Sequence, residues 1–360
     1  MILLTKDFAD TVAALDRIVP TRTSDPLHSQ ILITLGAEQM SLRVALPEID
    51  LELRLPVFCD FQTSILVPAH LMAGVVRSLP GEEVEIAIDP SGALSIESGS
   101  FATKLSTVAA SEFPPSPDKS PNAWELAASQ LARSMAQVRY AAANEDYRGA
   151  FRGVELGQSR DSFWAVATDS LRLALYQSHA ISESSFKILV PANSADELVK
   201  IIREETGSLL ISISPGGILV EFSRGRVWLA LLEGELPDWR AVIPARFVAE
   251  SRVSADALRE TLRRMDILAK PDTHPVDLVF EADQIVVSVE GSYGYAREQL
   301  AAQTQGELPL AVSFNARFLE DALKPLKGEA LLRLSGRASP AVVTTEQKEG
   351  YLAVVMPLRI

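Results

Sequence analysis

The side chains with the readiest chemistry in this chain are His28, His70, His179, His274 and Cys59, and their spacing assembles nothing. No two of the histidines lie at the three- to five-residue separation that lets ligands share a metal. Cys59 is the only cysteine, so neither an intrachain disulfide nor a thiolate cluster can form. A GxxxxGK[ST] phosphate loop, a GxGxxG turn and a GxSxG nucleophile elbow are all missing from the sequence. Asp16, Glu48, Asp50 and Glu52 bring four carboxylates close in sequence, but Asp50 and Glu52 alternate onto one strand face and read as solvated. The expectation is a protein that is not an enzyme and carries no metal or cofactor. A catalytic centre built from residues distant in sequence is the alternative that spacing leaves open.

The elements that would position any site occur three times. Val67-Pro68-Ala69, leading to Val75-Val76-Arg77, returns 123 residues later as Val190-Pro191-Ala192, leading to Val199-Lys200. A further 124 residues on, Phe314-Asn315-Ala316 leads to Leu323-Lys324. A second marker runs in parallel, with Phe8, Val12 and Leu15 answered by Leu131, Met135 and Val138, then by Leu258, Leu262 and Met265. This period exceeds any solenoid repeat and fits a whole small domain. Apolar i, i+3, i+4 patterns predict two helices per copy, at 5–19 and 69–79, 127–142 and 192–205, 254–270 and 316–327. Thr5 and Ser254 read as N-caps. Each copy is expected to open on a helix, to run through alternating strands such as Ile31–Leu35 and Leu51–Leu55, and to close on four more short strands after the second helix. Proline ends the strand before that helix by withdrawing a donor. The fold class is therefore α+β, three tandem copies of a two-helix, antiparallel-sheet domain. Pro-rich linkers at 113–121 and 237–244 set boundaries of 1–121, 122–246 and 247–360.

With 47% apolar and 22% charged residues the composition is that of a soluble globular protein. No run of about 18 apolar residues offers a membrane span, and the N-terminus lacks a signal-peptide pattern. The expected location is the cytoplasm, with no membrane partner. A net charge of −13 opposes nucleic-acid binding at first sight. The six predicted helices, however, hold 14 basic against 12 acidic residues, leaving about −15 to the remainder. Copies whose sheets continue edge to edge avoid exposed strand edges by closing into a ring, with helices on one surface and sheets on the other.

Several stretches, in order, resemble the bacterial sliding clamp family, the beta subunit of DNA polymerase III. They are Arg139-Tyr140-Ala141-Ala142-Ala143-Asn144-Glu145 running to Phe151-Arg152-Gly153-Val154, Val166-Ala167-Thr168-Asp169-Ser170-Leu171-Arg172-Leu173-Ala174, Glu233-Gly234-Glu235-Leu236-Pro237-Asp238-Trp239, and Tyr351 to Ile360. The resemblance covers the whole chain. It implies the DNA clamp fold, with helices lining the inside of a closed ring formed by a head-to-tail homodimer. Such a ring encircles double-stranded DNA without reading sequence and tethers the replicative polymerase. Topological linkage replaces affinity, so an acidic protein with sparse inner cations suits the task.

The family's peptide pocket, where polymerase, clamp loader and repair proteins dock short linear motifs, maps here onto Phe151, Thr168, Leu171, Arg172, Leu173, Pro237, Val242, Ser339, Pro340, Val354, Val355, Met356, Pro357, Leu358 and Arg359. A peptide with Gln followed by Leu and Phe is the expected ligand. The family usually has Gly then His or Tyr where this chain has Ser170-Leu171, which implies a greasier pocket. The DNA-facing set is Arg22, Arg133, Arg139, Arg148, Lys200, Arg259, Arg263, Arg264 and Lys324. Glu145, Gly149 and Ala150 replace polar family residues near the channel, with Tyr147 and Arg148 beside them. Ala45-Leu46-Pro47-Glu48 also departs from the family pattern. At the dimer interface Leu105 of one protomer is expected to face Ile267 and Leu268 of the other, the strands near 101–105 and 294–300 being read as the only free edges. The alternative is a clamp-like repeat scaffold or paralogue that binds peptides without being loaded on DNA.

Overall fold

The computed structural model describes residues 1–59, 62–89, 92–144, 149–180, 185–214, 216–292, 294–346 and 350–358. Glu145, Tyr147, Arg148 and Arg359 lie outside them.

Each copy runs strand, helix, four strands, helix, three strands. The first comprises β1 (Ile2–Leu4), α1 (Thr5–Ile18), β2 (Gln30–Leu35), β3 (Gln39–Ala45), β4 (Ile49–Pro56), β5 (Thr63–Pro68), α2 (Ala69–Arg77), β6 (Glu83–Ile88), β7 (Leu94–Ser98) and β8 (Phe101–Leu105), followed by the two-residue β9 (Val108–Ala109). The second comprises β10 (Ala123–Ala127), α3 (Ala128–Val138), β11 (Gly153–Gln158), β12 (Ser162–Thr168), β13 (Arg172–His179), β14 (Phe186–Pro191), α4 (Ala192–Ile202), β15 (Ser208–Ser214), β16 (Gly217–Phe222) and β17 (Gly225–Ala230). The third comprises β18 (Ala249–Ser254), α5 (Ala255–Asp266), β19 (Pro275–Phe280), β20 (Gln284–Gly291), β21 (Gly294–Gly306), β22 (Leu310–Asn315), α6 (Ala316–Leu323), β23 (Glu329–Leu334), β24 (Ala341–Thr344) and β25 (Gly350–Val355). A short strand, not a helix, opens each copy, and among the described residues only the first copy has a fourth closing strand.

The helices lie where apolar periodicity put them. Phe8, Val12 and Leu15, with their counterparts Leu131, Met135 and Val138 and then Leu258, Leu262 and Met265, are all buried. Ser254 caps α5 by accepting from the Ala257 N–H. Thr5 does not cap α1: the N-cap is Leu4, the Thr5 N–H donates to Glu82 O, and its hydroxyl is buried without a partner. Pro68 and Pro191 hand their strands to α2 and α4. In the third copy Asn315 takes that place and accepts from the N–H groups of Arg317 and Phe318.

Two compact units emerge, Met1–Ala132 with Glu197–Leu231, and Arg133–Asp196 with Leu232–Ile360. The first holds a four-stranded sheet, β1-β6-β7-β8, and a nine-stranded sheet, β10-β15-β16-β17-β4-β3-β2-β5-β9. The second holds a twelve-stranded sheet, β14-β11-β12-β13-β25-β24-β23-β18-β21-β20-β19-β22. The middle copy thus gives one set of strands to each unit. In both large sheets the last strand of one copy pairs antiparallel with the third strand after the first helix of the copy before it. These joints are β17 on β4, with Arg226 opposite Glu52, and β25 on β13, with Val354 opposite Leu173.

A second device repeats with the copies. The outer edges of β5, β14 and β22 are each covered by the chain that follows the copy's last strands. Val108 pairs with Leu66, the Leu232 N–H donates to Leu189 O, and the Leu358 N–H donates to Ser313 O. Leu66, Leu189 and Ser313 are equivalent positions under the 123- and 124-residue offsets.

Asp50 and Glu52 correct the expectation of a solvated acidic face, since both are buried. Asp50 is forked by Arg43, whose Nε and Nη2 donate to it at 2.9 and 2.5 Å. The same guanidinium donates to the carbonyls of Pro114 and Pro115, both at 2.8 Å, and so ties down the first linker. Glu52 accepts from Arg226 at 2.8 Å across the β17–β4 joint and from Arg54 on its own strand at 2.9 Å. Burial alone would raise the Glu52 pKa, but the hydrogen bonds and charges of the two arginines outweigh it and hold the carboxyl below its ordinary value.

Candidate functional site

The site grows out of the β13–β25 joint. Trp164, Val166, Leu173, Leu175, Leu236, Trp239, Val342 and Val354 form one buried cluster, with Phe151 packed against it. Gly157 stands opposite Trp164 on the neighbouring strand, and a Cβ there would lie 2.2 Å from the indole, so the ring lies flat over β11 only because the position is glycine. Glu155, 3% exposed, accepts from the indole N–H of Trp164 at 3.0 Å and of Trp239 at 3.1 Å. The two rings sit 6.4 Å apart at 53°, and Arg240 stacks on both. A single buried carboxylate thereby fixes the linker segment Asp238–Val242 against the sheet, as Arg43 fixes the first linker.

Above this floor opens a groove of about 260 Å³, lined by Phe151, Thr168, Ser170, Arg172, Leu173, Pro237, Asp238, Trp239, Val242, Val354 and Met356. Val242 and Met356 stay partly exposed at its rim. One wall is the β12–β13 turn, which is wired throughout. The Thr168 hydroxyl donates to Arg172 O and accepts from the Ser170 N–H. Asp169 Oδ1 accepts from the N–H groups of Leu171 and Arg172. Ser170 adopts φ = 77°, the left-handed region that a glycine enters without cost and a serine does not. The Met356 N–H donates to Leu171 O at 3.0 Å, and with the Leu358 bond to Ser313 this pins the C-terminal wall at two points.

Arg172 sits at the base of that wall. It donates to Asp169 Oδ2 at 2.9 Å and to Asp321 on α6 at 2.7 Å, and it lies 4.4 Å from the Phe318 ring centroid. Beside it Tyr140 and Tyr351 meet hydroxyl to hydroxyl at 2.5 Å, and Tyr351 donates onward to Ala322 O. Burial pushes both phenols well above their ordinary pKa, so the pair stays neutral. The arrangement offers an apolar trough with a few fixed polar groups, which suits capture of an extended segment by one or two apolar anchors.

The structure gathers eight of the expected pocket residues: Phe151, Thr168, Arg172, Leu173, Pro237, Val242, Val354 and Met356. Among the described residues it does not place the others on the groove. Val355 is fully buried, because alternation along β25 turns it away from Val354. Ser339 and Pro340 belong to the turn before β24, and Pro357 and Leu358 lie past the groove. Leu171 is exposed at the turn tip while Ser170 lines the groove, so the greasier wall expected from Leu171 is not formed. The groove also takes in Ser170, Asp238 and Trp239, which are not among the expected pocket residues, although all three stand in the stretches that carry the resemblance.

Of the cations assigned to DNA, Arg22 and Arg133 are exposed on the loop after α1 and on α3. Lys200 lies on α4, Arg259, Arg263 and Arg264 on α5, Arg139 just past α3, and Lys324 just past α6. At the expected dimer contact Ile267 is 81% exposed, Leu268 is half-buried, and Leu105 is buried beside Leu94 in its own sheet.

Three α+β copies joined through shared sheets, with a partner groove at one joint and no catalytic constellation among the described residues, define a DNA-clamp type of protein. Models of the DNA polymerase III beta subunit match in register along the chain, the N-terminal domain at residues 1–117, the central domain at 125–238 and the C-terminal domain at 240–359. The chain belongs to the bacterial sliding clamp family, whose members are non-enzymatic DNA processivity factors. It is 26% identical to the beta sliding clamp of Streptomyces coelicolor over 98% of this chain and 97% of that one. It is 27% identical to that of Caulobacter vibrioides over 95% of each. The crystal structure of the Bartonella birtlesii sliding clamp bound to griselimycin superposes with a TM-score of 0.93 at 26% identity, covering 100% of this chain and 99% of that one. The Bacillus subtilis sliding clamp gives 0.91 at 25% identity, covering 100% and 98%.

Proposed function

We propose that this sliding clamp works as a head-to-tail homodimeric ring, with domains 1–121, 122–246 and 247–360, that is loaded around duplex DNA in the cytoplasm and holds the replicative polymerase, clamp loader and repair proteins by the groove at the β13–β25 joint. The observation that carries the ring is the repeat's own pairing rule. In copies two and three the last strand, β17 or β25, pairs with the third strand after the first helix of the preceding copy, β4 or β13. Applied once more, the rule leaves β8 of the first copy seeking a third-copy β21. That strand pairs with β18 only over Ala302–Gly306, leaving its edge from Gly294 onward open. The two are not the only free edges, since β1 and β10 also have a single strand neighbour; they are the two the rule matches. The Bartonella birtlesii relative is bound to griselimycin in its crystal structure, which supports the presence of a ligand site on a clamp of this fold.

Light scattering at micromolar concentration should give the mass of two protomers. Replacing Ile267 and Leu268 by Ala should favour monomers, each buried side chain so truncated costing about 2–5 kcal/mol at most. ATP-dependent loading onto nicked circular DNA by a clamp loader distinguishes this function from a peptide-binding scaffold. A protomer mass for the unmodified protein would overturn the ring.

A further inference from the structure

Most of the cations assigned to the DNA face already have an anion within the protein. Glu197 accepts from Arg17 at 2.8 Å and from Lys200 at 2.7 Å. Glu320 accepts from Arg263 at 2.8 Å, and Glu298 from Arg264 at 2.7 Å. In these pairs the carboxylate side chains are 17–30% exposed and their cations 38–53%. The acids form a lower layer and the bases stand above it. Lys324 above Asp321 keeps this order, whereas Arg139 with Asp196 and Arg259 with Asp256 have the opposite one. Burial opposes ionisation of Glu197, but Lys200 and Arg17 outweigh it and lower its pKa. The Arg264 hydrogen bond does the same for Glu298. Both are anions at neutral pH. Arg22 and Arg133 have no such partner among the described residues.

We propose that Glu197, Glu298 and Glu320 are built-in counter-ions that make duplex contact short-ranged and weakly dependent on salt, leaving Arg22 and Arg133, among the described residues of the assigned set, as the cations that attract phosphate from a distance. The inference rests on the reading of these helix faces as DNA-facing. An unpaired Lys or Arg that meets a phosphate displaces a condensed counter-ion, and that release drives binding. A cation that must leave a carboxylate frees an anion that takes up a cation from solution, so the net release is close to zero. The cation still contacts phosphate at close range because it stands above its partner. At separations beyond the Debye length each pair is nearly neutral. A ring topologically linked to its substrate can then slide without being held at any one phosphate.

The test is fluorescence anisotropy of linear duplex DNA with the full-length protein across a salt series. Glu197→Gln, Glu298→Gln and Glu320→Gln combined should bind more tightly, by roughly tenfold or more at low salt, and steepen the log–log salt slope by about 0.9 for each cation freed. Glu38→Gln, Glu97→Gln and Glu307→Gln combined change net charge equally at exposed positions elsewhere and should leave the slope unchanged. If the two triple variants have the same slope, the counter-ion role is overturned. Arg22→Ala with Arg133→Ala tests the underlying reading separately, since weaker binding keeps the DNA face in place whatever the glutamate result. Unchanged binding in that double variant would remove the DNA face itself.

Discussion

Arg172 at the groove and Lys324 at the end of α6 are held by the same carboxylate: Asp321 takes the Arg172 Nη1 on Oδ2 at 2.7 Å and the Lys324 Nζ on Oδ1 at 2.6 Å. Arg172 is thus part of a chain of charges from the groove to a helix end assigned to DNA, and Asp169 completes the clasp from the turn side. The guanidinium is one of the groove's polar groups, and its position depends on acids outside the groove.

Asp321→Asn keeps the shape of that side chain and removes its charge, so Arg172 is left with Asp169 alone. Affinity for a fluorescent peptide carrying Gln, Leu and Phe should fall by roughly three- to tenfold, in keeping with about 1 kcal/mol for a partly exposed charged hydrogen bond. Lys324→Gln, which touches the other oxygen, should change peptide affinity less than twofold. Equal losses in both variants would show that Asp321 acts through its net charge and not by placing Arg172.

Met356 supplies exposed apolar surface on the C-terminal wall, and Leu173 and Val354 supply the buried floor. Met356→Ala should weaken the same peptide by about 2 kcal/mol, the usual scale for an apolar anchor site, and Leu358→Ala, past the groove, should leave it unchanged. The main-chain bonds of residues 356 and 358 survive both changes, so the dimer mass should not move. Anisotropy titrations read the first effect and light scattering the second.

Glu155 is buried with two indole N–H groups directed at one oxygen. Glu155→Ala leaves both donors without an acceptor and opens space beneath Trp239, a loss of about 2–4 kcal/mol. Glu155→Gln retains an acceptor and should lose less. Chemical denaturation followed by circular dichroism reads the loss, and tryptophan fluorescence adds the signal of Trp164 and Trp239 to that of Trp124 and Trp228.

Glu52 gives the β17–β4 joint a pH dependence. Its folded-state pKa lies below the unfolded value, so its contribution is complete above the ordinary carboxyl range and is lost as pH falls through the folded pKa. The thermal midpoint of the unmodified protein should therefore drop faster than that of Glu52→Gln as pH is lowered from about 5 towards 3. Parallel curves would mean that the Arg226 and Arg54 contacts contribute no net stability.

The chain's own pattern determined the threefold repeat, the six helices, the α+β class and the family, because those rest on local periodicity and on landmarks 123 and 124 residues apart. Much of the groove was legible for the same reason, since its residues lie in the stretches that carried the resemblance. Tertiary structure decided the rest. Asp50 and Glu52 looked like a solvated stripe until β17 and Arg43 covered them, and strand alternation alone cannot show that a second sheet edge arrives. Val355 and Val354 are neighbours of the same type in sequence, yet pleating sends one into the core and the other to the groove. Trp239 became part of the floor through Glu155, 84 positions away, and Asp321 reached Arg172 from 149 positions away. Partners that distant are brought together by chain topology, which no local spacing encodes.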